Sequence, residues 1–187
     1  MSFLLCKAAV IRRALYDGAV DRAALQAVQK PLKDQYREEP AAALITLRAD
    51  GKLHAEKIAC KVETGRALVE AGLHPATGGT GAFACSGDML LEALVACAGV
   101  TLRSVATSLE LDVTGSVHAE GDLDFRGTLG VDREAAVGFT EIRLRFDLVS
   151  DEPAEKLDKL LELTERYCVV GQTLAGGVPL EFSYSTS

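Results

Sequence analysis

No run of about 20 consecutive apolar residues occurs in this 187-residue sequence, so no membrane span is expected. Basic residues are in deficit: 20 Lys+Arg stand against 27 Asp+Glu, a formal charge of −7. A general nucleic-acid binder needs a basic footprint, which this balance excludes. Cysteine is scarce and odd in number, five in all, far from a disulfide scaffold. No two cysteines form a C-x-x-C pair, which disfavours a thioredoxin-like mechanism. His54, His74 and His118 lack metal-ligand spacing with the cysteines, so neither a metal nor another cofactor is expected. Internal repeats, charge blocks and low-complexity tracts are missing too.

The short apolar start Phe3-Leu4-Leu5 precedes the basic pair Arg12 and Arg13, the reverse of a secretory signal. The expectation is a cytoplasmic chain with reduced thiols, in which any disulfide is transient, catalytic or redox-sensing. What is present suits a real core. Hydrophobic residues make up 48% and charged residues 25%, so one domain of ordinary size is expected rather than a disordered chain.

Residues 1–40 carry helical spacing and read as an N-terminal helical extension, too small to fold alone. Asp21 is placed to cap a helix containing Ala24, Leu25 and Val28, with Pro31 breaking it or opening the next and Pro40 closing the region. From Ala41 the period becomes two. Leu44 to Arg48 reads as a strand, Asp50-Gly51 as a hairpin signal, and Leu53 to Val62 as extended chain; Thr64-Gly65 turns into Ala67–Glu70. A Gly-rich loop from His74 to Gly87 leads to a long helix, Met89 to about Leu109, which Ser86 or Asp88 can cap. That helix is apolar nearly all round and must be covered on most sides. Strict alternation over Val113–Phe125 and Ile142–Leu148 predicts a sheet with one wet and one packed face. Pro153 opens a second helix with Leu157, Leu160, Leu161, Thr164 and Cys168 on one stripe. A short turn or helix punctuated by Gly171 and Gly176-Gly177 follows, and Val178, Leu180, Phe182 and Tyr184 alternate in a final strand. The order predicts an α+β fold: antiparallel β-sheets packed on buried central helices.

Cys97, mid-way along the first long helix, and Cys168, at the end of the second, both fall on inward-facing stripes. Packing alone explains such cysteines, since a free thiol behaves as a small hydrophobe. The alternative is a reactive thiol with a resolving partner. It requires a nearby cation, donor or helix N-terminus to favour the thiolate. The fold must also bring the two Cα atoms within about 7 Å for a bridge. Cys85 lies in the Gly-rich loop, Cys60 alternates within a strand, and Cys6 has no evident role. Gly78-Gly79-Thr80-Gly81 lacks the Lys-Ser/Thr ending of a P-loop and the strand that precedes a dinucleotide fingerprint. It reads as a flexible connection. No nucleophile elbow is recognisable.

Four pieces in order resemble the OsmC family of osmotically inducible and organic hydroperoxide resistance proteins. They are the Gly78-Gly79-Thr80 loop, the helix Asp88–Cys97, the hairpin from Gly127 to Ile142, and the closing segment Glu165-Arg166-Tyr167-Cys168-Val169-Val170-Gly171-Gln172-Thr173-Leu174. The resemblance covers about residues 41–187 as one domain and leaves the first 40 residues outside. It implies an intertwined homodimer with sites at the intersubunit surface, acting on organic hydroperoxides or another apolar small molecule. It also implies an external thiol reductant. Carried over, Cys97 is the attacking thiol and Cys168 the resolving one, the disulfide intercepting a sulfenic acid before irreversible oxidation. The family's activating Glu falls on Gly87; adjacent Asp88 is the candidate substitute, and Arg48 and Arg66 are candidates for its Arg. Val169 stands where peroxidase members often carry Pro, a texture closer to the OsmC-like branch than to the dedicated peroxidases. The leading expectation is a thiol-dependent peroxidase in oxidative-stress defence. The alternative is a non-catalytic OsmC-like ligand-binding or redox-sensing module with a degenerate site.

Overall fold

The computed structural model describes residues 21–39, 44, 50–53, 59–63 and 68–186. Helix α1 (Arg22–Glu38) begins where Asp21 accepts the Ala24 N–H at 2.7 Å, the expected cap. It runs straight through Pro31 rather than breaking there. Proline removes one ladder donor from a helix, and sixteen other helical residues outvote it here. Arg22 ties the helix to Glu110 at 2.8 Å.

Strands β1 (Asp50–Leu53), β2 (Ala59–Glu63), β3 (Leu68–Gly72) and β4 (Ala84–Cys85) form a sheet in that order. Asp50 and Gly51 do not turn the chain. They pair with Glu63 and Val62 within the ladder. Of the expected strand Leu44 to Arg48, Leu44 is not in a strand and residues 45–48 lie outside the described residues. The β3–β4 pair is parallel, a departure from the all-antiparallel expectation. Between them Pro75–Thr77 forms one 3₁₀ turn, which ends at Gly78 with φ of 89°.

The helix that carries Cys97, α2 (Ser86–Ser108), starts at neither expected cap. Cys85 occupies the cap position without a side-chain bond, and Asp88 sits in the first turn, where a carboxylate complements the helix dipole. Leu94, Ala98, Leu102 and Ala106, four apart, form its buried stripe. The chain then passes through buried Leu111 and Val113 into β5 (Thr114–Leu123). A short helix α3 (Phe125–Thr128) and a loop lead to β6 (Phe139–Val149), which pairs with β5 from Thr114↔Val149 to Leu123↔Phe139. The predicted alternation is present: Val117, Ala119, Gly121 and Leu123 turn inward and their neighbours outward. The Phe139 ring lies so close over Gly121 that a Cβ there would stand 2.5 Å from it.

Helix α4 (Ala154–Tyr167) buries Leu160 and Thr164, whose hydroxyl donates to the Leu160 carbonyl at 2.7 Å. Cys168 ends α4 and starts α5 (Val169–Gly176). One core cluster gathers Leu102, Ala106, Leu111, Val113 and Leu160; the second gathers Leu94, Ala98 and Cys168 against Cys97, Val117, Ile142 and Val170. The expected final strand is not formed: 177–186 is irregular and pairs with none of the described strands. Alternation specifies the faces of a strand, but a strand also needs an edge on which to bond.

Candidate functional site

Two elements meet at the sulfurs. Cys97 is carried by α2 at the margin of its buried stripe and is half-buried; Cys168, at the α4–α5 corner, is 3% exposed. Cys97 packs against Cys168 in one core cluster, so the pair expected from the family motifs is brought together, with both thiols free. Cys168 is also the N-cap of α5, its sulfur accepting the Gly171 N–H at 3.4 Å.

The first N–H groups of a helix have no intrahelical partner and carry its positive end. In α5 these are the amides of Val169 and Val170, with the Gly171 amide taken by the Cys168 sulfur. Burial pushes the Cys97 thiol up, but the Val170 amide, the Cys168 S–H, the Val169 amide and the Thr101 hydroxyl together hold it below the ordinary thiol value. Thr101, one turn on, also donates to the Cys97 carbonyl at 2.8 Å. Cys168 is displaced the other way. Burial raises it against the Gly171 amide, and the neighbouring Cys97 sulfur raises it further. The two thiols are shifted in opposite directions, Cys97 towards the thiolate and Cys168 away from it, as an attacking and a resolving sulfur need.

The two arginines expected beside Cys97, Arg48 and Arg66, lie outside the described residues. Among the described residues the causes that lower its thiol are hydrogen-bonding groups. Asp88 cannot touch Cys97 of its own chain. Nine residues of helix separate them by about 13 Å and half a turn of azimuth. Position 87 is equally remote, and a side chain there would meet Phe139, Cys85 and Leu123. Cys85 stands twelve residues before Cys97, about 18 Å along the same axis, and does not join the pair.

Thr101 and the α5 amides were not expected. A threonine four residues after Cys97 in an apolar helix was the available signal for the first. Backbone amides leave no residue-type signature. One further grouping resembles a catalytic set without being one: on the wet face of the hairpin, Ser116 lies 2.9 Å and Asp147 3.4 Å from His118. Both contacts use the same ring nitrogen, Nε2, whereas a proton relay requires one partner on each nitrogen.

Beside Cys168 opens a groove of about 560 Å³, within the range of small-molecule sites. Its walls are mainly apolar, from Phe139, Ile142, Leu144 and Phe146 of β6 and Leu161 and Leu174 opposite. Cys168 lines it; Cys97 does not.

Comparison with known structures places this arrangement in a wider group. An OsmC-like protein from Mycoplasma pneumoniae superposes with a TM-score of 0.59 at 16% identity, covering 71% of this chain and 89% of its own. An organic hydroperoxide resistance protein OsmC from Legionella pneumophila gives 0.52 at 18%, covering 72% and 92%. An OsmC-like protein of unknown function from Vibrio cholerae gives 0.54 at 16%, covering 70% and 94%. At such identities the likeness is one of fold. Comparison with curated proteins gives no significant sequence match. The OsmC-like protein family model matches residues 79–183, a span that includes both site cysteines and more than half of the sequence. This chain therefore belongs to the OsmC-like protein family.

Proposed function

We propose that the protein is a thiol-dependent peroxidase that reduces organic hydroperoxides, with Cys97 attacking and Cys168 resolving. The observation that carries this reading is the contact of two oppositely shifted thiols at the N-terminus of α5. The Cys97 thiolate attacks the terminal oxygen of ROOH. The O–O bond breaks, RO⁻ leaves and takes a proton to become ROH, and Cys97 becomes a sulfenic acid. The Cys168 sulfur then displaces the sulfenic hydroxyl, which leaves as water with the thiol proton, and a Cys97–Cys168 disulfide remains. Two equivalents of external thiol restore both thiols.

The same reading includes a homodimer. Support comes from apolar surface left uncovered: Ala93, Ala96 and Val100 of α2 are exposed, Val100 at 72%. Leu180, Phe182 and Tyr184 of the C-terminal segment are more than three-quarters exposed. Patches of this kind mark interaction surfaces. By length and composition α2 is apolar enough to cross a membrane, yet its inner stripe packs on α4, α5 and β5. A second copy covering the outer stripe accounts for its composition. It would also be the only way for position 87 or 88 to approach a Cys97.

Consumption of cumene hydroperoxide with dithiothreitol tests the enzymatic reading. Cys97→Ser is expected to lose the activity, at least about a hundredfold, the size typical of removing a key catalytic group. Equal rates in the two proteins would reject it. Gly87, which offers no carboxylate, favours a second reading: an OsmC-like binding or redox-sensing module that turns over slowly or not at all. Sluggish alkylation of Cys97 at neutral pH would favour that module.

A further inference from the structure

The two sulfurs of the pair are not equally placed on the groove. Cys168 forms part of the wall of the β6–α4–α5 groove, whereas Cys97 packs against Leu94, Ala98 and Cys168 without lining it. A molecule in the groove meets Cys168 first. The Cys97 thiol is held below and the Cys168 thiol above the ordinary value, so of the two sulfurs Cys97 is the better leaving thiolate. Thiol–disulfide exchange favours attack on the sulfur whose partner leaves more readily.

The rim adds a charge preference. Apart from the cysteine, the ionisable residues lining the groove are Glu141 and Glu165, both acidic. Glu141 shares the Arg143 guanidinium at 3.0 Å with Asp122 and Glu120. Glu165 makes no ion pair among the described residues, and its backbone carbonyl takes the Gln172 amide at 3.0 Å. The mouth of the groove is therefore negative, in a chain that is itself acidic.

We propose that this groove admits the thiol that re-reduces the pair, that the thiol attacks Cys168 rather than Cys97, and that the acidic mouth selects cationic or neutral low-molecular-weight thiols over anionic ones. The proposal rests on the disulfide of the preceding reading. In the step, RS⁻ bonds to the Cys168 sulfur, the Cys97–Cys168 bond breaks, and Cys97 leaves as a thiolate. A second RS⁻ then attacks the mixed disulfide, releasing RSSR and the Cys168 thiolate, and two protons from the two RSH molecules complete the balance.

The test uses the full chain oxidised with diamide, so that it does not depend on any peroxide reaction. Thiol release is followed with cysteamine, 2-mercaptoethanol and mercaptoacetate at equal thiolate concentration. N-ethylmaleimide traps the freed protein thiol, and acid quench with peptide mapping locates the adduct. The expected adduct is on Cys168 with Cys97 alkylated. Cysteamine should outpace mercaptoacetate by about tenfold or more at low salt, the lower end of electrostatic steering, and raised salt should shrink the difference. Glu165→Gln should reduce it with no loss of folding, since the residue is exposed. An adduct on Cys97, or rates indifferent to thiol charge, would overturn the proposal while leaving the peroxidase reading intact. Failure of diamide to join the two sulfurs would overturn both.

Discussion

At Cys97 two opposed effects meet, and hydrogen bonding outweighs burial. Two of the groups that lower the thiol, Cys168 and Thr101, are side chains and can be changed by substitution. Alkylation of Cys97 against pH should show a midpoint below the usual thiol value of 9.0. Removing a group that favours the thiolate raises that midpoint, so Thr101→Val and Cys168→Ala should each move it up. Cys168→Ser keeps a donor and should move it less, while supplying α5 with a better N-cap than a thiol. A midpoint unmoved by all three would show that the contacts do not control the thiol. The pair itself was legible because cysteines are few and two of them fall within ordered family motifs. The means of activation was not. The expected guanidinium falls on Arg48 or Arg66, outside the described residues. The groups that lower the thiol among the described residues include two main-chain amides, which residue identity does not mark.

Among the elements, those whose periodicity is enforced by burial were readable. The β5–β6 alternation from Val117 onward and Leu160 and Thr164 of the α4 stripe are in place, since a one-residue slip or a rotated helix would expose the packed face. Leu161 of the expected stripe and Gly115 of the expected inner face are exposed. Leu160, at the centre of that stripe and fully buried, should cost about 2–5 kcal/mol as Leu160→Ala by urea unfolding, the usual range for a buried leucine. Gly115 makes a different demand. It holds φ at +138°, and a Cβ would stand 2.0 Å from the Asp147 carbonyl oxygen. Gly115→Ala should cost about 2 kcal/mol or more in the same assay, through strain and loss of the local register. Boundaries set by single residues were less readable. Asp50-Gly51 has turn chemistry but lies within a ladder, and Pro31 interrupts nothing because the rest of α1 continues on both sides. The α2 start shifted to Cys85 because the short β4 strand delivers the chain there.

For the whole molecule, the unpaired C-terminal segment and the open side of α2 point the same way. Both are patterned to be covered, and the described part of a single chain covers neither. Sedimentation of the full chain should give a dimer, and a chain ending at Gly177 should shift towards monomer; a full chain sedimenting only as monomer would remove the shared-site part of the reading. That pattern was visible in the sequence as a strand, but its partner was not, since alternation names a face without naming the neighbour. The most direct test of the account is peptide mapping, without reductant, after one equivalent of cumene hydroperoxide is added to the reduced protein. The account predicts one Cys97–Cys168 disulfide per hydroperoxide consumed, with the remaining thiols alkylatable. Recovery of both thiols free, or of Cys97 joined to Cys85 instead, would contradict it.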